Sequence, residues 1–157
     1  MLVFAFAGNM DVEELSKRVP SAKKIGLARL PGYDFVFNRT DDDQSSTANI
    51  IQSTDPDAMV WGVLITIDDT EKSIFYDLDP LSSGLKPEMV TCMDINDEIY
   101  QAEALVAQPH AVNTHLLPYD WYLEKIIQLA KKAELPNEYI TKISLMNFKV
   151  DPGGRSE

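Results

Sequence analysis

The stretch Phe4-Ala5-Phe6-Ala7-Gly8-Asn9-Met10 closes an apolar run that begins at Met1 and reads as a buried first strand. The run breaks at Ala7-Gly8-Asn9, two small residues followed by one that tolerates left-handed backbone. A helix is predicted immediately afterwards. Asp11 is placed to cap it, and Glu14, three residues on, completes a capping box. Strand, small-residue loop and helix start, in that order, aim backbone N–H groups and a helix dipole at one spot. That arrangement suits a carboxylate, a phosphate or a developing oxyanion. A tight turn that needs small residues only for packing reads the same way, because one glycine is a weaker signal than a glycine-rich fingerprint.

Outward from this stretch, Asp11 to Val19 has the spacing of a short amphipathic helix, with Val12, Leu15 and Val19 on one face. Strands are predicted at Lys23 to Leu30 and Tyr33 to Asn38, joined by the turn Pro31-Gly32. A third is predicted at Ala48 to Gln52. Met59 to Ile67 is the strongest strand of the chain and is apolar on both faces, so it belongs in the middle of a sheet. Gly62 within it marks a close backbone approach or a bulge. A short helix over Thr70 to Leu78, capped by Asp69 or Thr70, leads into a loop from Asp79 to Pro87. Met89 to Ile95 and Glu98 to Ala107 form a hairpin across Asn96-Asp97. An irregular connection, Gln108 to Pro118, precedes a helix over Tyr119 to Ala133 with Tyr122, Ile126, Leu129, Ala130 and Ala133 on one stripe. A second short helix follows from Asn137 to Met146. The sum is one α+β domain, residues 1–147, built on a mixed, largely antiparallel sheet or barrel with flanking helices. Residues 148–157 are set apart as a C-terminal tail, without structure from Asp151.

The 157 residues carry a net charge of −11, which argues against nucleic acid or an anionic membrane as partner. No apolar run reaches the ~20 residues of a membrane span, and Met1-Leu2-Val3-Phe4 lacks the basic start of a signal peptide. The one cysteine, Cys92, falls within a strand; a reducing, cytoplasmic setting is expected. Lys17, Arg18, Lys23, Lys24, Arg29 and Arg39 make the first forty residues the most basic part; Lys23, Lys24 and Arg29 read as a solvated face or as a guide for an anionic small molecule towards the opening loop.

Few residues have the pattern that chemistry demands. His110 and His115 lack a third ligand at metal spacing and read as exposed loop residues, and Asp41-Asp42-Asp43 lacks the alternation and turn glycine of a calcium loop. No metal and no cofactor are expected. Nucleophile elbows, Walker loops and dinucleotide fingerprints are absent from the sequence. Carboxylates remain: Asp77, Asp79 and Glu88. Glu88 stands at a loop-to-strand junction among Leu85, Met89 and Val90, where a raised pKa would fit a general base. Turn-forming or water-facing roles fit all three equally well.

The order of segments resembles the γ-glutamylcyclotransferase-like superfamily. The family's opening strand and Tyr-Gly-Ser-Asn loop correspond to Phe6-Ala7-Gly8-Asn9. The similarity continues through Pro20-Ser21-Ala22, Ala28-Arg29-Leu30, Tyr33 to Phe37, Ala48-Asn49-Ile50, Val60-Trp61-Gly62-Val63-Leu64 and Leu78-Asp79. It ends with Leu135-Pro136-Asn137-Glu138-Tyr139, which is similar to the family's Leu-Pro-x-x-Tyr. The resemblance implies an activity that needs no cofactor. The α-amine of a γ-glutamyl group attacks its own γ-carbonyl, giving 5-oxoproline and a released amine or amino acid. Proximity supplies much of the acceleration; a base, oxyanion donors and an acid supply the rest. The opening loop, Phe6, Ala7, Gly8 and Asn9, is then implied to bind substrate.

The family's catalytic glutamate position falls on Ser82, or on Ser83 with one insertion, and the family's last-strand tyrosine falls on Leu105. Ser82 is implied to border the substrate, and Glu88 is the nearest downstream glutamate. Three readings follow: an active enzyme with Glu88 as displaced base, a catalytically silent module that binds a γ-glutamyl or amino-acid-like ligand, and a protein-interaction domain.

Overall fold

A computed structural model of the chain describes residues 1–41, 44–78 and 84–153. Its organising strand is β5, Met59–Thr66, which has a strand on each side: antiparallel β1, Leu2–Ala5, and antiparallel β2, Lys23–Pro31. The two-sided apolar sequence of β5 is what this central place requires. Gly62 earns its position. A Cβ there would collide with the Ala5 carbonyl oxygen and lie 3.1 Å from the Phe4 ring.

β2 continues to β6, Leu85–Asp94, through the pairs Ala28–Asp94 and Arg29–Met93. β6 forms a long antiparallel hairpin with β7, Ile99–Ala107, turning through Asp97 at φ 64°. A parallel bridge between Val3 and Glu103 closes the barrel in the order β1-β5-β2-β6-β7. The barrel is thus mixed and largely antiparallel, as its sequence implies. Its inward face is filled by Phe4, Leu64, Val90 and Cys92 together with the small residues Ala28, Ala102 and Ala104, all buried.

β6 starts four residues earlier than its apolar pattern indicates, and so takes in Pro87. A proline is tolerated there because β6 pairs with β2 only at Met93 and Asp94, leaving the N-terminal half of the strand with a single neighbour. β3, Tyr33–Thr40, and β4, Ser46–Gln52, form a separate two-stranded sheet. It docks on the barrel through Asn49, which is buried. Its side chain accepts the Ala107 N–H at 3.0 Å and donates to Asn38 Oδ1 at 2.9 Å.

Among the described residues, four α-helices flank the strands. α1, Val12–Ser16, follows a 3-10 turn at Gly8–Met10 and is shorter than its hydrophobic spacing implies, because Lys17 and Arg18 leave the helix as turn residues with their N–H groups on Glu14 O and Leu15 O. α2, Lys72–Leu78, follows a 3-10 turn at Asp69–Glu71, where Asp69 holds the Met1 ammonium at 3.0 Å instead of capping the helix. α3, Asp120–Lys132, lays Leu123, Ile126, Ile127 and Ala130 on the core, and α4, Asn137–Ser144, adds Tyr139, Ile140 and Ile143. No described helix is long and apolar enough to cross a membrane.

Asp151 departs from the sequence expectation of an unstructured end. It is buried, and its carboxylate accepts the Trp121 Nε1–H at 2.9 Å. Residues 154–157 lie outside the described part.

Candidate functional site

The turn from β1 into α1 forms as its residue types require. Asp11 Oδ1 accepts the Glu14 N–H at 3.3 Å, which is half of a capping box. The Glu14 carboxylate turns outward to Lys17 at 2.9 Å, and the Asp11 N–H returns to Gly8 O at 3.3 Å. Met10 N–H donates to Ala7 O. As the first N–H groups of a 3-10 turn, those of Gly8 and Asn9 have no acceptor among the described residues.

These groups border a cavity of about 210 Å³ at the end of β1. Its floor is the run Val3 to Asn9. Leu85 and Leu105 close one side, from β6 and β7. The opposite wall comes from outside the barrel: Arg39 and Ala48 from the small sheet, and Tyr122, Lys125 and Ile126 from α3. Spacings of three and four residues put the last three on one helix face, so the stripe that buries Ile126 also presents Tyr122 and Lys125. Arg39 follows a bulge: Phe37 pairs with Ala48 but Arg39 pairs with Thr47, leaving Asn38 as the extra residue. Bulges re-aim the side chains that follow them. The Tyr122 hydroxyl accepts the Ala48 N–H at 3.1 Å and so pins the small sheet to α3. Phe35 and Phe37 link Phe6 to Tyr122 through successive edge-to-face ring contacts, with centroids 5.1 to 6.4 Å apart.

The cavity carries two cations, Arg39 half-buried in its wall and Lys125 at the exposed rim, in a chain of net charge −11. Its described lining includes neither carboxylate nor histidine. The nearest carboxylate on the Leu105 face of β7 is Glu103, and it accepts the Tyr76 hydroxyl at 2.6 Å. Burial, then the Glu103 bond, pushes the Tyr76 phenol up to about 12. Cys92 is buried in the barrel, and burial pushes its thiol up to about 11, so it is no nucleophile.

Of the residues singled out by sequence, Phe6, Ala7, Gly8 and Asn9 come together in this cavity. Glu88 does not join them. Side chains alternate along a strand, so Leu85 and Glu88 point to opposite faces of β6. Glu88 faces Ala104 and lines a separate groove with Tyr33, Asn49, Lys86 and Val106. Ser82, Ser83 and Asp79 lie outside the described residues. His110 and His115 are exposed, and no group of metal-ligating side chains forms among the described residues. Sequence reasoning missed Arg39, Tyr122 and Lys125 as site residues. The helical spacing of Lys125 from Tyr122 is the signal that pointed to it.

The fold is also found in known proteins. The chain is 28% identical to the human protein named gamma-glutamylcyclotransferase over 149 residues, covering 90% of this chain and 76% of the relative. A solved structure titled gamma-glutamyl cyclotransferase superposes with a TM-score of 0.85 at 23% identity, covering all of this chain and 93% of the other. The chain is thus similar in sequence to proteins named gamma-glutamylcyclotransferase and has the fold of a solved structure titled so. A second solved structure, of an uncharacterized human protein, matches with a TM-score of 0.79 at 24% identity over 97% of this chain and 94% of its own. No family model matches.

Proposed function

We propose that this γ-glutamylcyclotransferase-like protein binds a small carboxylate-bearing molecule of the γ-glutamyl or amino-acid-like class beside Phe6–Asn9, and that it does so without rapid release of 5-oxoproline. The observation that carries the binding is the placing of Arg39 and Lys125 on a cavity that Gly8 and Asn9 also line, in an otherwise acidic chain. Cations and oriented N–H groups together favour an anion. The remainder of the lining, with Leu85, Leu105 and Ile126, accommodates an aliphatic body.

Cyclisation asks for more than binding. The attacking amine must lose a proton, and a missing general base costs ~10²–10⁴ in rate. The carboxylates described near the cavity are committed elsewhere: Glu103 to Tyr76, and Glu88 to the opposite face of the hairpin. The family's glutamate position reads Ser82. A serine hydroxyl does not take a proton at neutral pH unless another base activates it.

Two measurements on the intact chain separate binding from turnover. Thermal unfolding is followed with 5-oxoproline, γ-glutamylalanine and a γ-glutamyl amine, where ligand at 100 times its Kd adds about 2.7 kcal/mol of stability. Release of 5-oxoproline is measured on the same substrates. A thermal shift with no release above the uncatalysed rate is the expected result. Efficient release abolished by Glu88→Gln would instead restore the displaced base, and absence of both shift and release would leave the protein-interaction reading.

A further inference from the structure

The outer wall of the cavity, made by the start of α3 and the small sheet, is not part of the barrel, and the structure shows what holds it. α3 has no side-chain cap at Tyr119. Its first amide is capped from the far end of the chain: Asp120 N–H donates to Lys149 O at 2.8 Å, and Lys149 N–H donates to Pro118 O at 2.9 Å. The next residue but one repeats the tie. Asp151 N–H donates to Asp120 Oδ1 at 3.2 Å, and the buried Asp151 carboxylate accepts Trp121 Nε1–H at 2.9 Å and Gly153 N–H at 2.8 Å. Lys149 also reaches the small sheet's loop. Its ammonium donates to Gln44 O at 2.9 Å and lies 5.0 Å from the centre of the Tyr119 ring. Between these points Ser46 N–H donates to Leu117 O at 3.0 Å.

From Trp121 the path to the cavity is one contact long. The Trp121 ring stands edge-on to Tyr122, with centroids 6.2 Å apart, and Tyr122 lines the cavity and holds Ala48 through its hydroxyl. We propose that Lys149–Asp151 is a clasp for this wall, with Lys149 and Asp151 as positioning residues that set where Tyr122, Lys125 and Ala48 stand. Neither touches the cavity. Each acts through α3 or through Gln44 beside the small sheet, and the barrel strands close without them. The consequence for binding rests on the cavity being the ligand site proposed above; the mechanical role does not.

The test uses the full chain with Asp151→Ala, Lys149→Met and Lys149→Arg. Hydrogen exchange of the Ala48 amide, whose acceptor is the Tyr122 hydroxyl, is compared with exchange of barrel amides such as Leu64. The first two variants are expected to speed exchange at Ala48 by about tenfold while Leu64 is unchanged. Lys149→Arg keeps a cation over Tyr119 and is expected to restore slow exchange. Equal acceleration at Ala48 and Leu64, or none at either, overturns the clasp. Where the unsubstituted chain shows a thermal shift with 5-oxoproline or γ-glutamylalanine, Asp151→Ala is expected to weaken that ligand about tenfold. Unchanged affinity alongside faster Ala48 exchange overturns the link to binding. Absence of any shift in the unsubstituted chain counts against the ligand site alone, and the exchange result still decides the clasp.

Discussion

Two concavities lie on opposite faces of the β6–β7 hairpin, and their charges differ. The groove beside Ala104 carries one cation and one anion, Lys86 and Glu88, with the half-exposed ring of Tyr33. The cavity beside Leu105 is lined by Arg39, Lys125 and the turn residues Gly8 and Asn9, with no carboxylate in its described lining. On the reading proposed above, Arg39 and Lys125 are the charged groups that a small anion would meet in the second concavity. Strand parity accounts for the contrast: a single-residue step along β6 or β7 carries a side chain from one concavity to the other.

The most severe way to break the contrast is Gly62→Ala. The new methyl collides with the Ala5 carbonyl and crowds the Phe4 ring, and both residues form the cavity floor. A stability loss of about 1–3 kcal/mol is expected, with ligand binding lost alongside it. Urea unfolding measures the first and titration the second; an unchanged midpoint would show that β1 can retreat from β5 without cost.

Next in size is the charge itself. Arg39→Ala removes a charged partner for the ligand from a half-buried wall position. A charge-assisted bond contributes about 1.5–3 kcal/mol, so the Kd of a carboxylate ligand should rise by roughly 10–100-fold. Lys125 stands at the exposed rim, where ion pairs contribute only about 0.2–1 kcal/mol, and Lys125→Ala should raise the Kd less than about sixfold. Calorimetric titration distinguishes the two. Equal effects would move the anion's place to the rim. Tyr122→Phe comes third: Ala48 N–H loses its acceptor, for an expected stability loss of about 1–2 kcal/mol by thermal unfolding.

The fold was legible because its signals are local. The two-sided apolar run of β5, the alternation of β7 and the spacing in α3 each report burial within one element. So was the floor of the cavity, since Phe6 to Asn9 adjoin in sequence and need only a turn to be brought together. The wall was not. Arg39 and Tyr122 are 83 positions apart (122 − 39), and they meet only because Asn38 bulges and the Tyr122 hydroxyl binds Ala48. Neither event leaves a mark on composition or period. Glu88 shows the opposite failure. Its neighbours made it a fair candidate for a base, but the strand that places it began at Leu85 and not at Met89. With the early part of β6 read as loop, the parity that turns Glu88 away from Leu85 was invisible.

Titration separates the carboxylate on the cavity face from a free base. Tyr76 donates to Glu103 at 2.6 Å, and burial with that bond raises the phenol to about 12. A phenol whose pKa is higher folded than unfolded holds its proton more tightly in the native state. Its contribution to stability is therefore complete below about pH 10, the unfolded value, and is lost as pH rises through about 12. Ultraviolet titration of Tyr76→Phe against the unsubstituted chain should remove one late-ionising tyrosine, while Glu103→Gln should move that ionisation to lower pH. A Tyr76 titrating at the ordinary value would release Glu103 as a second candidate base for the cavity.

The smallest expected effect carries the sharpest decision. Glu88→Gln keeps the shape and removes the charge of a residue in the balanced groove. Surface changes of this kind stay within about ±0.5 kcal/mol, so neither folding nor the ligand's Kd should move by more than about twofold. Arg39→Ala, measured beside it, should raise the Kd by roughly 10–100-fold. The reason for expecting nothing is geometric. For Glu88 to act on a ligand held at Gly8 and Asn9, its carboxylate would have to pass between β6 and β7, whose pairs Pro87–Leu105 and Glu88–Ala104 close the sheet at that point. A Glu88→Gln variant that loses ligand affinity or 5-oxoproline release would mean that the hairpin opens there, and the two concavities would then be one site.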